Sequence, residues 1–259
     1  MTPAYYADLY KHFASFLADY PGTQLKKIIS GANADDYHWT EVMMQKISPD
    51  NAWGLSLHYY VFPTGKWRPR GSATEFDEAQ YAHTLVEASR LDTILAHHEK
   101  IMDEYDPQKK LALAIDEWGV WADAEPGTPG YAMYQQGSLR DALVAASTLN
   151  LFNNHADRVR LADLAQTVNV IQAVILTRGD KMIKTPTYWV FDLYKAHQDA
   201  RLLPVEIRSP MYSYGGYTVK AVNASASIDK DGIIHITLVN LDATNSITIG
   251  AQLPKSCNR

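Results

Sequence analysis

The fold of this chain can be inferred from one stretch, Lys109-Lys110-Leu111-Ala112-Leu113-Ala114-Ile115-Asp116-Glu117-Trp118. Two lysines precede five apolar residues without alternation, and the run ends on two carboxylates and a tryptophan. A short, continuous apolar run is typical of a strand buried on both faces, as in a parallel sheet. Acids at the carboxyl end of such a strand lie where α/β barrels hold their catalytic groups. Because side chains alternate along a strand, we expect only one of Asp116 and Glu117 to enter a central cavity, with Asp116 on the outer face.

Composition excludes several classes of protein. The 259 residues, 46% hydrophobic and 20% charged, suffice for one large or two ordinary domains with a real core. A net charge of -5 argues against a nucleic-acid partner. The single cysteine, Cys257, excludes an internal disulfide framework. No apolar run reaches the roughly 18 residues that span a bilayer, and no secretory signal precedes the first helix, so we expect no membrane partner and a cytoplasmic location.

Strand-like and helix-like patterns alternate through the first 200 residues. Helical spacing or capping signals predict helices at 2–20, 37–47, 76–105, 138–150 and 186–197. Apolar runs predict buried strands at 24–30, 53–60, 109–118 and 169–177. This βαβ order favours a parallel sheet with right-handed crossovers. Within the third helix, His97 and His98 lie among charged residues, which indicates a solvated face.

The pattern changes after about residue 203. Short β-type runs follow at 217–222, 224–228, 233–239 and 246–249. We therefore divide the chain into an α/β part, 1–202, and an all-β part, 203–259. A closed barrel needs eight strands. Four strands leave two alternatives: an open sheet, or the later half of a barrel.

Aromatic and histidine side chains end the strand that precedes the Glu117 strand. Alternation places His58 and Tyr60 inward and Tyr59 outward. Because neighbouring strand ends face one cavity, the Tyr60 hydroxyl could donate a hydrogen bond to Glu117 and stabilise its negative charge.

Two tryptophans follow Glu117 closely. Trp118 and Trp121 could stack on the face of a sugar, or they could cover the core; the residues alone leave both alternatives open.

Motifs for other chemistry are missing from the sequence. HExxH and CxxC patterns do not occur, so no metal site is predicted. GxGxxG and GxxxxGK[ST] are equally absent, which leaves nucleotide binding without support. The chain also lacks a GxSxG nucleophile elbow. We therefore expect neither a cofactor nor a metal.

The segment Ile-Asp-Glu-Trp-Gly-Val-Trp at 115–121 resembles the nucleophile motif of family 51 glycoside hydrolases, the α-L-arabinofuranosidases. Three other regions resemble that family in the same order, at 1–7, at 56–60 and across 155–171. The resemblance implies a (β/α)8 TIM barrel with an appended β-sandwich. It also implies hydrolysis of terminal α-L-arabinofuranosyl linkages with retention and without metal.

Carried onto this sequence, the resemblance makes Glu117 the nucleophile. Tyr60 would bind it, His58 would line the site, and Gln166 would contact the arabinose or the nucleophile. The four predicted strands become barrel strands five to eight, and the tail becomes part of the sandwich. The substrates are then arabinofuranosyl-containing saccharides, and the resemblance implies a homo-oligomer in the full-length form.

The sequence departs from the family pattern at several points. The family's acid/base motif, Gly-Asn-Glu, does not occur, and Gly119 stands where the family commonly has Asn. The ending at 253–259 does not resemble the family's continuation. We interpret the chain as a fragment whose acid/base glutamate lies outside it, weak or inactive alone. The alternatives are a non-catalytic half-barrel that binds sugar or assembles, and another retaining glycosidase such as a xylosidase.

Overall fold

A four-stranded parallel sheet forms the centre of the computed structural model, which describes residues 1–252. Its strands neighbour each other in chain order: β1 Ile28–Asn33, β2 Gly54–Val61, β3 Ala112–Val120 and β4 Val159–Leu164. Each neighbouring pair is parallel. The predicted α/β class is therefore confirmed, with the Glu117 strand as β3.

Three helices connect these strands in turn, α2 Tyr37–Lys46, α3 Glu78–Tyr105 and α4 Leu139–Asn154. Helix α1 Pro3–Ala14 precedes β1 and packs on α2, and α5 Pro186–Tyr194 packs on α4. Short 3-10 turns occur at Pro49–Asn51, Gly130–Ala132 and Lys195–His197. As predicted, Thr2 caps α1, and its hydroxyl accepts the Tyr5 N–H at 3.3 Å. None of the helices in the described part of the chain combines the length and apolar content that a membrane span requires.

The prediction that residues 169–177 form the fourth parallel strand is wrong, because the fourth strand of the sheet is β4, Val159–Leu164. Asn169 and Ile171 have positive φ angles of 59° and 49°, which no extended strand accommodates. The run then enters a small antiparallel hairpin, β5 Ile175–Arg178 and β6 Lys181–Lys184. Its apolar residues look like a buried strand because Ile171 and Ala173 are indeed buried.

The prediction of a solvated face at His97 and His98 is wrong for His98, which is fully buried. His98 follows the buried Leu91 and Leu95 by seven and three residues, so it lies on the same face of α3. Its Nε2 lies 2.8 Å from the Ala34 carbonyl oxygen, and its Nδ1 lies 2.9 Å from the Thr40 hydroxyl. Both ring nitrogens are thus satisfied.

From Arg201 to residue 252, the described chain forms β-strands and their connections. These strands are β7 Arg201–Leu203, β8 Met211–Tyr214, β9 Tyr217–Lys220, β10 Val222–Ile228 and β11 Ile234–Asn240. A three-stranded antiparallel sheet has the order β11-β10-β7, and β8 pairs with β9. The proposed boundary at 202/203 thus falls inside β7. The predicted strand at 246–249 is irregular, and the predicted ending at 253–259, with Cys257, lies outside the described residues.

A buried polar network joins α4 to the three-stranded sheet. Asn150 is fully buried, and its Oδ1 accepts hydrogen bonds from Ser225, Thr237 and Tyr194 at 2.7–2.9 Å. Its amide nitrogen donates to Asn223 at 2.7 Å. Because each of these buried groups finds a partner, the network fixes the orientation of the sheet on the helix.

A histidine at the end of α4 makes the stability of this fold depend on pH. His155 Nδ1 lies 2.9 Å from the Glu99 carboxylate, and Nε2 lies 3.0 Å from Asp92. Burial opposes the charged imidazole, but these two carboxylates outweigh it and raise the pKa of His155 to about 9. The ordinary value is about 6.5. Folding therefore favours the protonated form.

Because the folded-state pKa is raised, this stabilisation is complete below about pH 6.5 and is lost as the pH rises through 9. We expect the free energy of unfolding of the His155→Gln variant to be about 1–3 kcal/mol lower than that of the wild type at pH 6. The difference should shrink toward zero by pH 10. Urea denaturation of both proteins across this range measures it, and a constant difference would contradict the assignment.

Candidate active site

The carboxyl ends of β2 and β3 bring three polar side chains together. Residue pairing aligns His58 with Glu117 across the two strands. The Tyr60 hydroxyl donates a hydrogen bond to Glu117 Oε2 at 2.8 Å. The contact that the strand ends predict is therefore present.

The prediction that Asp116 and Glu117 point to opposite faces is wrong, because β3 carries a bulge. Ser56 pairs with Ala114 and His58 pairs with Glu117, so β3 contains one residue more than β2 over this interval. The register shifts at the same point against β4. An extra residue of this kind redirects side chains locally. Both carboxylates consequently reach the face of the sheet that carries His58.

His58 lies between the two carboxylates. Its Nε2 is 3.3 Å from Asp116 Oδ1, and its Nδ1 is 3.5 Å from Glu117 Oε2. The contact with Asp116, helped by the charge of Glu117, raises the pKa of His58 although burial opposes it. Burial also acts to raise the pKa of Asp116, but His58 and the Ser56 hydroxyl, 2.5 Å from Asp116 Oδ1, lower it. These shifts favour a charged His58 imidazole beside a charged Asp116 carboxylate.

Glu117 is accessible at the rim of the sheet, with 45% of its side chain exposed. Its Oε2 is held by Tyr60, whereas no donor within residues 1–252 reaches Oε1. Burial, and secondly Glu117 itself, raise the pKa of Tyr60, so the phenol stays protonated and remains a donor. A carboxylate with one oxygen held and the other open can attack an electrophilic carbon.

Tyr59 points away from this site, as alternation predicts. Its ring is 6% exposed, and its hydroxyl donates to the Glu87 carbonyl oxygen of α3 at 2.6 Å. The two adjacent tyrosines therefore serve different faces of the sheet.

The prediction that Trp118 stacks on a sugar is wrong, because its side chain is buried, with 1% exposed. Its ring lies edge-on to Phe152 of α4, with centroids 5.2 Å apart, and stacks on Phe191 of α5 at 6.3 Å. Alternation past the bulge sends Trp118 to the helical side of the sheet. Of the two alternatives, stacking on a sugar or covering the core, the second holds for Trp118.

Trp121 belongs to an aromatic surface beside Tyr60. Its ring centroid lies 5.0 Å from that of Tyr60 and 5.1 Å from that of Trp67, which is 56% exposed. The Arg70 guanidinium covers the Trp121 and Trp67 rings at 4.2 and 4.3 Å. Sequence reasoning missed Arg70 and Trp67, and the one available signal was the alternation of basic and aromatic residues in the Pro- and Gly-rich loop after β2.

Gln166 is exposed just after β4, and no hydrogen bond joins it to Glu117 in the described part of the chain. Its contact with arabinose stays a prediction. The buried amide near Glu117 is instead Gln172, whose Oε1 accepts the Val120 N–H at 2.7 Å. Sequence reasoning missed Gln172 as a support for the end of β3. Across 1–252, no three His, Cys, Asp or Glu side chains gather closely enough to hold a metal ion.

Known proteins resemble this chain over nearly its whole length. The family model described as "Alpha-L-arabinofuranosidase C-terminal domain" matches residues 116–256. An intracellular exo-alpha-L-arabinofuranosidase of Bacteroides ovatus is 46% identical over 254 residues, which are 98% of this chain and 49% of that protein. An intracellular exo-alpha-(1->5)-L-arabinofuranosidase of Streptomyces lividans is 26% identical over 86% of this chain and 34% of its own length.

Solved structures agree with these sequence matches. The GH51 arabinofuranosidase of Xanthomonas axonopodis pv. citri superposes with a TM-score of 0.92 at 48% identity, over 95% of this chain and 49% of that one. The Thermotoga maritima α-L-arabinofuranosidase, solved as an arabinose complex, gives a TM-score of 0.72 at 26% identity, over 93% and 48%. The chain spans about half the length of these relatives. On this evidence it belongs to the family 51 glycoside hydrolases, and to the part that the α-L-arabinofuranosidase C-terminal domain describes.

Proposed function

We propose that this chain carries the nucleophile of a retaining α-L-arabinofuranosidase, with Glu117 in that role. The observation that carries the proposal is the Tyr60–Glu117 hydrogen bond of 2.8 Å, which holds one carboxylate oxygen and leaves the other open at the sheet rim. The relatives' names supply the substrate class, terminal arabinofuranosyl residues of saccharides. No cofactor takes part in this proposal.

Retaining hydrolysis needs two carboxyl groups about 5–5.5 Å apart. Glu117 attacks the anomeric carbon, the glycosidic oxygen leaves with a proton from the second group, and a covalent glycosyl-enzyme forms. The same second group then takes a proton from water, which releases arabinose with its configuration retained. We propose that this acid/base group lies outside the chain. General acid–base help typically contributes 10²–10⁴-fold, so the chain alone should turn over natural substrates poorly.

We propose that the parallel sheet is the later half of a (β/α)8 barrel, strands five to eight, followed by part of a β-sandwich. Two observations support this. The strands are parallel and sequential, and β1 and β4 each lack an outer neighbour in the described sheet. An open groove also runs along β4, lined in part by Leu164, Val174 and Phe191, where a further barrel strand would pack.

The remaining roles follow from placement around Glu117. We propose that His58 and Trp121 contact the sugar, Trp121 as a stacking surface, and that Gln166 reaches it from the end of β4. The names of both sequence relatives, which call them intracellular, support an intracellular location. The homo-oligomer of the full-length form stays a prediction, which sedimentation equilibrium would test.

The decisive experiment uses an aryl α-L-arabinofuranoside whose leaving group needs no protonation. Such a substrate bypasses the missing acid, so Glu117 can still be glycosylated. Without a partner base the intermediate should hydrolyse slowly and accumulate. We expect mass spectrometry to find a pentosyl adduct, and peptide mapping to place it on the peptide that contains Glu117.

The Glu117→Gln variant is the matched control, since it keeps the shape of the side chain but cannot attack. It should fold and give no adduct. If the folded wild-type chain binds arabinose but never forms the adduct, the non-catalytic half-barrel is the better interpretation. If an aryl xyloside with the same leaving group labels the chain faster than the arabinofuranoside does, the xylosidase alternative is favoured.

A further inference from the structure

We propose that Asp116 is a positioning residue, which acts through His58 to hold a second donor on the Glu117 oxygen that Tyr60 binds. Glu117 Oε1 is then the oxygen that attacks. The kinetic consequence rests on the proposed function, whereas the contact from Asp116 to His58 can be tested without it.

The geometry that carries this proposal is a chain of four side chains. The Ser56 hydroxyl donates to Asp116 Oδ1 at 2.5 Å, and the same oxygen lies 3.3 Å from His58 Nε2. On the other side of the ring, Nδ1 lies 3.5 Å from Glu117 Oε2. The bulge in β3 creates this arrangement, because without the extra residue only one carboxylate would reach His58.

The two carboxylates decide which form of His58 suits the site. A neutral imidazole carries one N–H and can serve only one of them, whereas an imidazolium can donate to both. Contacts of 3.3 and 3.5 Å are long, as is common before substrate closes a catalytic site. Asp116 therefore supplies what keeps His58 able to donate toward Glu117.

The other groups around His58 add no competing positive charge. Ser56 and Tyr60 flank it on β2, and Asn33 is its register partner on β1. From β4, Asp163 lies near enough to Asp116 for that charge, after burial, to raise the pKa of Asp163. The surroundings are acidic or neutral, and the raised pKa of His58 agrees with this.

As a consequence, the two carboxylate oxygens of Glu117 have different roles. Tyr60 at 2.8 Å and the His58 ring at 3.5 Å both face Oε2, so this oxygen is held in the plane that the donors define. Oε1, which no donor reaches within residues 1–252, stays free to form the bond to carbon. Removal of the Asp116 carboxylate leaves Glu117 in place but weakens the contact from His58, one of the two contacts that hold Glu117 Oε2.

The test is an NMR titration of the His58 ring in this chain, assigned with His58→Gln. We expect Asp116→Asn to lower the pKa of His58 by about 1, as loss of a neighbouring opposite charge does. Asp163→Asn is the matched control, since it removes the same charge from the neighbouring strand without touching His58. It should change that pKa by much less. Equal effects of the two variants would overturn the proposal.

A second variant keeps the test decisive if Asp116→Asn fails to fold. Ser56→Ala removes only the hydroxyl donor of Asp116, so the carboxylate becomes more basic and binds the imidazolium more strongly. The pKa of His58 should therefore rise. An unchanged or lower pKa would mean that Asp116 does not hold His58, and would contradict the proposal.

The kinetic arm uses the adduct assay with the aryl arabinofuranoside. In Asp116→Asn we expect adduct formation to slow about 10-fold at pH 7, and its decline on the alkaline side to begin at lower pH. A purely structural role would change the rate without moving this profile. If the titration shifts but wild type forms no adduct, the positioning contact stands and the proposed function fails.

Discussion

The Tyr60→Phe variant is expected to form the glycosyl adduct about 100-fold more slowly than the wild type. Removal of one preorganised donor from a catalytic charge typically costs 10²–10³-fold. The Tyr60 hydroxyl makes the shortest contact with Glu117, at 2.8 Å, and the variant retains its ring beside Trp121. The lost interaction is thus the hydroxyl alone. Rates measured under single-turnover conditions, with the released aryl alcohol followed by absorbance, isolate this step.

The neighbouring tyrosine provides a control of unusual similarity. Tyr59→Phe also removes one hydroxyl from β2, but that hydroxyl binds the Glu87 carbonyl of α3 on the other side of the sheet. We expect this variant to lose about 1 kcal/mol of stability and to keep its adduct rate within about twofold. If both variants slow the reaction equally, Tyr60 acts through the fold and its catalytic role is refuted.

Local rules suffice for the central part of the site. The apolar run before Glu117 predicts a buried strand, and β3 forms there. Alternation along β2 separates Tyr59 from Tyr60, and the hydrogen bonds of both hydroxyls follow it. These predictions succeed because strand geometry and burial on two faces are properties of short segments, which the sequence states directly.

The bulge at Asp116 could not be predicted in the same way. Alternation assumes a regular strand, whereas the register shift against both neighbours is fixed by how three strands pack. One inserted residue changed the side to which Asp116 points. The functional interest of this residue therefore follows from a departure from the rule by which the rest of the strand was predicted.

Apolar content misled the prediction at 169–177. The sequence offers Val170, Ile171, Val174 and Ile175, as a buried strand would, but Gln172 needs its polar partners. Its amide is fully buried between Val120, Asp141 and Thr187. Positive φ angles at Asn169 and Ile171, just before Gln172, turn the chain so that this amide can reach them. Tertiary hydrogen bonding overrides strand propensity there.

The Arg158→Met variant is expected to lose about 3–5 kcal/mol of stability, the usual cost of breaking a buried ion pair. Arg158 is fully buried before β4 and donates to the Asp106 carboxylate at 2.7 Å and to Asp103 at 2.6 Å. It also donates to the Leu111 carbonyl at 2.9 Å, at the point where the chain enters β3. The variant leaves Asp106, which is 3% exposed, without its counter-ion.

Arg160 provides the matched control two residues further on. Its guanidinium is exposed and binds backbone carbonyls, that of Lys110 at 3.0 Å among them. Arg160→Met should cost less than about 1 kcal/mol in urea denaturation. Adding Asp106→Asn to Arg158→Met should restore part of the loss, since it removes the stranded charge. A loss below about 1 kcal/mol in Arg158→Met would show that this ion pair does not hold β3. The alignment of Glu117 with Tyr60 would then depend on the sheet alone.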